Sequence, residues 1–413
     1  MWRSLRRKKL GIELSRVPPS LRERNRTLVV EVLRKQGGVT QAELTRLTGL
    51  SRATISTLVA ELRIRGLVLE QPAAEPVRQG GRPPVQLALA PSAGNAVGID
   101  FGHSHVRVAV ADLAHRILVE REEALAVDAD PVGSLDVAAG LVREAMASAG
   151  VSAASVIGVG MGVPGPVDHR TGRVGSTSIL AGWLGIRAAE EIERRLDLPA
   201  VVDNDANIGA LAEASWGAAR GMRDVAYIKA SSGIGAGLVL GGRLHRGANG
   251  TVGEIGHDIV DEAGPFCRCG NRGCLEAVAG GTAVTELLSR SRREPLTLQQ
   301  VLDLAEEGDL ACRRALAEVG RQIGAAAARL CNLVNPERVV VGGLLASAGD
   351  LLLDPMRESV RRFGVDSATA GVEIVPSEFG ERAGVVGALA LVLREGSPLF
   401  GDRLRASLQG QPA

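Results

Sequence analysis

Apolar residues recur at helical spacing from residue 28 to about 65 and at strand spacing from residue 95 onward. In "RNRTLVVEVLRKQG" the positions Leu28, Val29, Val32 and Leu33 make one stripe, closed by Gly37-Gly38, and predict a helix. The stretch "TQAELTRLTGLSRATISTLVAELRIRGLV" predicts two more. Thr40 is placed to cap the first of these, Glu43 three residues later completes a capping box, and Thr48-Gly49 ends the helix. Ser51 caps the next helix, which runs to about Arg65 and turns Ile55, Leu58, Val59 and Leu62 inward. Two short helices joined by a Gly-containing turn predict a helix-turn-helix. The following "GLVLEQPAAEPVRQGGRPPVQLALAP" predicts strands at 67–70 and 85–89 around a Pro/Gly-rich loop, the pattern of a wing.

Beyond residue 95 the pattern becomes strand, glycine turn, strand. It occurs in "AVGIDFGHSHVRVAVADL" and again at 225–244 in "VAYIKASSGIGAGLVLGGRL". A repeated unit of this kind, each copy followed by helices, predicts two related α/β lobes. Glycine turns after a strand can cradle a phosphate on free backbone N–H groups. The candidates are Asp100 and Gly102 in the first copy, and Ser232, Gly233 and Gly235 in the second. Between the copies, "LPAVVDNDANIGALAEA" reads as a strand ending at Asn204-Asp205, followed at once by a small-residue helix. That puts an amide and a carboxylate at a strand's carboxyl edge, where α/β proteins bind ligands. Asp205 could there accept a proton from a sugar hydroxyl, or Asp203 or Asp205 could simply cap the helix. The domains expected are a basic arm (1–24), a winged helix-turn-helix (25–92), a first lobe (95–205), a second lobe (206–396) and a tail (397–413). The C-terminal helix is a candidate to return to the first lobe.

Charge sharpens this division. Residues 1–90 carry 17 Lys+Arg against 7 Asp+Glu, while the rest of the chain carries 31 against 40. A basic module on an acidic body points to a polyanion partner for the first part alone, double-stranded DNA. The residues placed to meet it are Thr40, Ser51, Arg52, Ala53, Thr54, Ser56 and Thr57, with Arg82 at the wing tip suited to a minor groove. Hydrophobic residues at 45% and charged ones at 23% suit an ordinary globular protein. No run approaches the ~20 apolar residues that span a bilayer, and the start has no signal-peptide pattern. A cytoplasmic protein without a membrane partner is expected.

Three of the five cysteines lie in "FCRCGNRGCLE" (266–276). His257 is followed by nine residues, Cys267, one residue, Cys269, four residues, and Cys274. One imidazole and three thiolates suit a closed tetrahedral zinc site. A redox centre would favour C-x-x-C, and a nucleic-acid knuckle using Arg268 and Arg272 would lie far from the basic module. Cys312 and Cys331 sit on Ala-rich helical stretches and are expected to be buried.

Together, the winged helix-turn-helix, "DNDAN", "GEIGH" and "CRCGNRGCLE" resemble the ROK family of repressors, open reading frames and sugar kinases, over about residues 25–395. The resemblance implies two RNase H-like lobes of the actin/hexokinase type with a sugar in the cleft. By position, Gly165, Asn204, Asp205, Glu254, His257 and Glu276 would meet the sugar, and Asp205 would be the base in a kinase. His257 would also share a structural zinc with the three cysteines. The family's kinases read D-x-G-G-T-K at the first phosphate loop; here "DFGHSH" places His103, Ser104 and His105 in the last three positions. A side chain at 103 is expected to crowd the phosphate nest, and Leu344 interrupts the adenosine-side glycines of "VVVGGLLAS". These departures argue against ATP binding. The function expected is a sugar-responsive DNA-binding regulator, a repressor in preference to an activator, acting as a homodimer or dimer of dimers. The alternatives are an ATP-dependent sugar kinase carrying a DNA-binding domain and a regulator driven by a protein partner.

Overall fold

The computed structural model describes residues 21–72, 85–168, 171–175 and 180–395. Residues 1–20 of the expected arm, Arg82 with the wing tip, and the tail lie outside the described residues. The chain divides into two compact units, Met1–Ala88 and Leu89–Ala413.

In the first unit, α1 (Leu21–Gln36), α2 (Gln41–Thr48) and α3 (Arg52–Ile64) precede a two-stranded sheet of β1 (Val68–Pro72) and β2 (Val85–Leu89). The helix starts three residues before the expected end of the arm. Arg22 and Arg26 pair there with Glu61 of α3, at 3.0 and 3.5 Å, a partner invisible to a local count of like charges. Its inward face is Val29, Val30 and Leu33, and Leu28 is exposed, so the stripe is turned by about one position from that expected. The capping box of α2 is formed: Glu43 N–H donates to Thr40 Oγ1 (3.2 Å) and Thr40 N–H to Glu43 Oε2 (2.8 Å). Gly49 ends the helix in the left-handed region at φ 69°, and Ser51 Oγ accepts the Thr54 N–H of α3 at 3.2 Å. Val39 and Leu87 exchange backbone bonds of 3.0 and 2.7 Å, tying the wing to the loop before α2.

The second unit begins with a meander of β3 (Asn95–Phe101), β4 (His105–Asp112) and β5 (Ile117–Ala124). The chain crosses through α4 (Pro131–Ala149) to β6 (Val156–Val163), parallel to β3. A hairpin of β7 (Val167–Asp168) and β8 (Arg173–Val174), then α5 (Ala188–Leu196), leads to β9 (Ala200–Asn204). The sheet order is β5-β4-β3-β6-β9. After α6 (Asp205–Trp216) the plan repeats with β10 (Val225–Ala230), β11 (Ile234–Leu240) and β12 (Arg243–Leu244). Helices α7 (Leu275–Ala279), α8 (Gly281–Arg292), α9 (Leu298–Glu306) and α10 (Leu310–Val334) come next, and α10 buries Cys312 and Cys331. Then β13 (Arg338–Gly342), α11 (Asp350–Phe363), α12 (Asp366–Thr369) and β14 (Glu373–Pro376) complete the order β12-β11-β10-β13-β14. In each sheet a three-stranded meander is followed by two parallel strands, the duplication read from the glycine turns.

Every residue of β3 and of β6 is buried, as a central strand covered on both faces requires. One face meets α4 and α5, and the other meets α13 (Ala383–Ala390), which returns from the C-terminal end to the first lobe. The return needs glycine beneath it: a Cβ at Gly98 or Gly160 would lie 2.8 Å from Val385 O or 1.9 Å from Ala388 O. Gly160→Val is therefore expected to lower unfolding stability by about 3 kcal/mol in urea titration, because backbone must give way.

Candidate functional site

The carboxyl ends of β9 and β10, the 253–257 turn and the start of α7 converge on one cavity. At the end of β9 the capping question is resolved: Asn204 caps α6, its Oδ1 accepting the N–H groups of Ala206 (2.9 Å) and Asn207 (3.3 Å). Asn204 Nδ2 donates to Gly165 O at 3.1 Å. Asp205 faces the cavity, where Lys229 Nζ of β10 donates to its Oδ2 at 2.5 Å. Asp203, buried, instead takes Arg246 Nε at 2.6 Å and Asn207 Nδ2 at 2.8 Å.

All six positions matched to sugar contacts, Gly165, Asn204, Asp205, Glu254, His257 and Glu276, line this cavity. Ser232, Gly233 and Gly235 of the second glycine turn line it too, as do His103, Lys229 and Arg268. Glu276 Oε2 accepts the Ile234 N–H at 3.1 Å, and its Oε1 lies 3.1 Å from Arg268 Nε. Burial, with the charges of Asp205 and Glu276, pushes the Glu254 carboxyl up to about 7, so near neutrality it can donate or accept.

His257 also belongs to a second group. Its Nδ1 is 3.5 Å from Cys267 Sγ, and Cys269 Sγ is 3.6 Å from Cys274 Sγ. The four ligand atoms all lie within 4.8 Å of one another. A tetrahedral ion bound by sulfur and nitrogen needs ligand atoms roughly 3.5–3.8 Å apart, so the set can hold a metal. Burial and the neighbouring thiols push Cys274 up to about 12, a cost that a bound cation offsets. The other ring nitrogen, Nε2, turns to the cavity, 3.8 Å from Glu254 Oε2. One imidazole thus joins the metal cluster to the pocket. The two arginines that suggested a knuckle are engaged within the protein: Arg272 Nε donates to Gly264 O at 2.6 Å and Arg268 reaches Glu276.

At the first glycine turn His103 lines the cavity with its Nδ1 2.7 Å from Asp128 Oδ2, and the ring of His105 also packs over Gly102. A Cβ at Gly102 would sit 2.3 Å from His105 Cε1, and Gly102 N–H is bonded to His105 O at 2.9 Å. The ring therefore occupies space above the turn, and Asp100 lies behind, buried, its Oδ2 3.6 Å from His105 Nε2.

In the first unit, Arg52, Ala53, Ser56 and Thr57 form an exposed face on α3. Thr40 and Ser51 serve as helix caps, and the Thr54 hydroxyl lies 2.9 Å from Ser51 Oγ. Sequence reasoning missed Lys229, Arg246 and the role of His105, and weighed Arg268 only against nucleic acid. The one signal for Lys229 was its rarity in an arginine-rich chain.

These features define a two-lobed sugar-kinase-like body joined to a winged-helix unit. The ROK family profile matches residues 96–395, and the chain belongs to the ROK family. The MarR family profile matches residues 23–79. The chain is 28% identical to the xylose repressor of Caldicellulosiruptor bescii over 91% of this chain and 96% of that protein. A solved structure described as a ROK family transcriptional regulator, homologous to the E. coli MLC protein, matches with a TM-score of 0.73 at 25% identity. It covers 94% of this chain and 98% of its own. A ROK glucokinase from Streptomyces griseus, solved with glucose and AMPPNP, matches with a TM-score of 0.63 at 30% identity, over 72% of this chain and 99% of its own.

Proposed function

We propose that this protein is a sugar-responsive repressor of carbohydrate-metabolism genes that binds an operator through α3 and the wing. Its effector, a sugar, occupies the cavity around Asp205, and its metal is a structural zinc on His257, Cys267, Cys269 and Cys274. The observation that carries the reading is an asymmetry within one cleft. The sugar-side residues are gathered on the cavity wall, while His105 fills the first phosphate turn. A cleft kept for a sugar, with its first phosphate turn crowded, suits a sensor. Zinc would fix the His257 ring and so present Nε2 to the sugar in a defined orientation. Sugar and operator binding would be coupled reciprocally, the protein acting in the cytoplasm as a homodimer or dimer of dimers.

Gel-shift titration on the DNA upstream of the protein's own gene, with and without a panel of aldoses, tests this. Operator binding altered by at least one sugar is expected, and Arg52→Ala should weaken it by about tenfold, the loss of one base-edge or phosphate contact. Failure to bind that DNA under any condition counts against the reading. ATP turnover abolished by Asp205→Asn would favour the kinase alternative.

A further inference from the structure

The chain has 44 arginines and four lysines, and Lys229 is the single lysine beyond residue 35. A composition that uses arginine almost everywhere keeps a lysine at this one place in the body. An ammonium is compact, whereas a guanidinium is a planar fork that needs a wider space. Lys229 Nζ donates to Asp205 Oδ2 at 2.5 Å on the cavity wall, where the side chain is 26% exposed. Burial pulls its pKa down, but the charges of Asp205 and Asp100 outweigh that and hold the ammonium above its ordinary range. Asp205 takes one of its three N–H donors, and two remain. A second couple, Arg268 with Glu276 at 3.1 Å, lines the same cavity.

A carboxylate beside a cation reads a hydroxyl from both sides. The hydroxyl donates to the carboxylate and accepts from the ammonium or guanidinium, and charged partners make both bonds strong. On the wall the carboxylates of Asp205 and Glu276 balance the cations Lys229 and Arg268, and Glu254 adds no positive charge, so the cavity offers no excess positive charge for an anion. Resting on the effector reading above, we propose that Lys229–Asp205 and Arg268–Glu276 are hydroxyl-reading couples. They select an uncharged sugar over its phosphate ester, and Lys229 is a specificity-determining residue.

Isothermal titration calorimetry on the full chain tests this. The probes are glucose, xylose, galactose, mannose and N-acetylglucosamine, with glucose 6-phosphate and N-acetylglucosamine 6-phosphate. At least one neutral sugar is expected to bind, with each phosphate ester at least about tenfold weaker than its parent. Lys229→Met should weaken the tightest neutral sugar by roughly 10- to 100-fold, the value of a hydrogen bond to a charged group. Monodeoxy forms of that sugar supply a readout that general damage would not move. The form lacking the hydroxyl read by Lys229 should bind wild type roughly 10- to 100-fold worse than its parent, yet bind Lys229→Met within about threefold of it. Arg268→Gln, on the more exposed couple, should show the same pattern with a different deoxy form and keeps the test open if Lys229→Met does not fold. Unchanged sugar affinity in the folded variants overturns the proposal, as does tighter binding of a phosphate ester that Lys229→Met abolishes. If no probe binds wild type, the effector reading itself falls and this inference with it.

Discussion

Cys269→Ser is expected to abolish the sugar response while leaving operator binding by the first unit in place. The expectation follows from how the metal group is built. Cys267, Cys269 and Cys274 come from one loop, and His257 is shared with the cavity. A serine hydroxyl is a poor replacement for a thiolate, and loss of a structural zinc removes folding free energy on the order of 10 kcal/mol. The loop carries Arg268 between two ligands, and α7 begins directly after Cys274 with Glu276 in its first turn. Loss of the metal therefore releases His257, Arg268 and Glu276 together, three side chains of the cavity wall. Sugar affinity should fall by 100-fold or more, at the upper end of what ligand-supporting groups contribute to such sites. The first unit has its own core of Val29, Val30, Leu33, Leu44, Ile55, Leu58, Val59 and Leu62, and does not depend on the metal. Calorimetry with the tightest sugar, metal analysis and gel shift on the same preparation check the three parts. A variant without metal that keeps the wild-type sugar response would contradict this picture.

The fold was readable wherever the signal was local. Thr40 and Glu43 are three residues apart, and their capping box formed as the spacing demands. The glycine turns at 102 and 233 announced two equivalent meanders, and the sheets share one strand order. The His-Cys spacing was legible because the ligands come from one short stretch of chain. What stayed hidden depends on distant partners. Lys229 lies 24 residues from Asp205, and only the convergence of β9 and β10 brings an ammonium to that carboxylate. His105 packs over Gly102 because the hairpin between β3 and β4 starts its second strand at 105, and His103 is tied to Asp128 from the loop after β5. The helical start of α1 is of the same kind, since Glu61 that neutralises Arg22 and Arg26 comes from α3.

Asp203→Ala should be strongly damaging although Asp203 is neither a residue of the metal group nor one of the sugar-matched residues. Asp203 is buried at the end of β9 and accepts from Arg246 Nε (2.6 Å), Asn207 Nδ2 (2.8 Å) and the Asn204 N–H (2.8 Å). Arg246 follows β12 of the second lobe and also holds Glu395 at 3.0 Å. The network thus joins the last strand of the first sheet to the second lobe and to the end of the described chain. Burial tends to lower the Arg246 pKa, but Asp203 first and then Glu395 more than compensate, so the guanidinium stays charged. Removal of Asp203 leaves that charge with one carboxylate, and breaking a buried pair from one side costs about 3 kcal/mol or more. For a unit of this size the melting temperature should fall by roughly 4 °C or more. Arg246→Met alone should cost a similar amount, since it strands the Asp203 carboxylate. The double variant should be more stable than the sum of the two losses implies, because neither charge is then left without its partner. Thermal unfolding of the four proteins measures that coupling, and strict additivity would mean that the pair does not hold the lobes together. The Asn204 N–H, next to Asp205, is held by the same carboxylate, so sugar affinity should fall in Asp203→Ala by about tenfold even at temperatures where it remains folded.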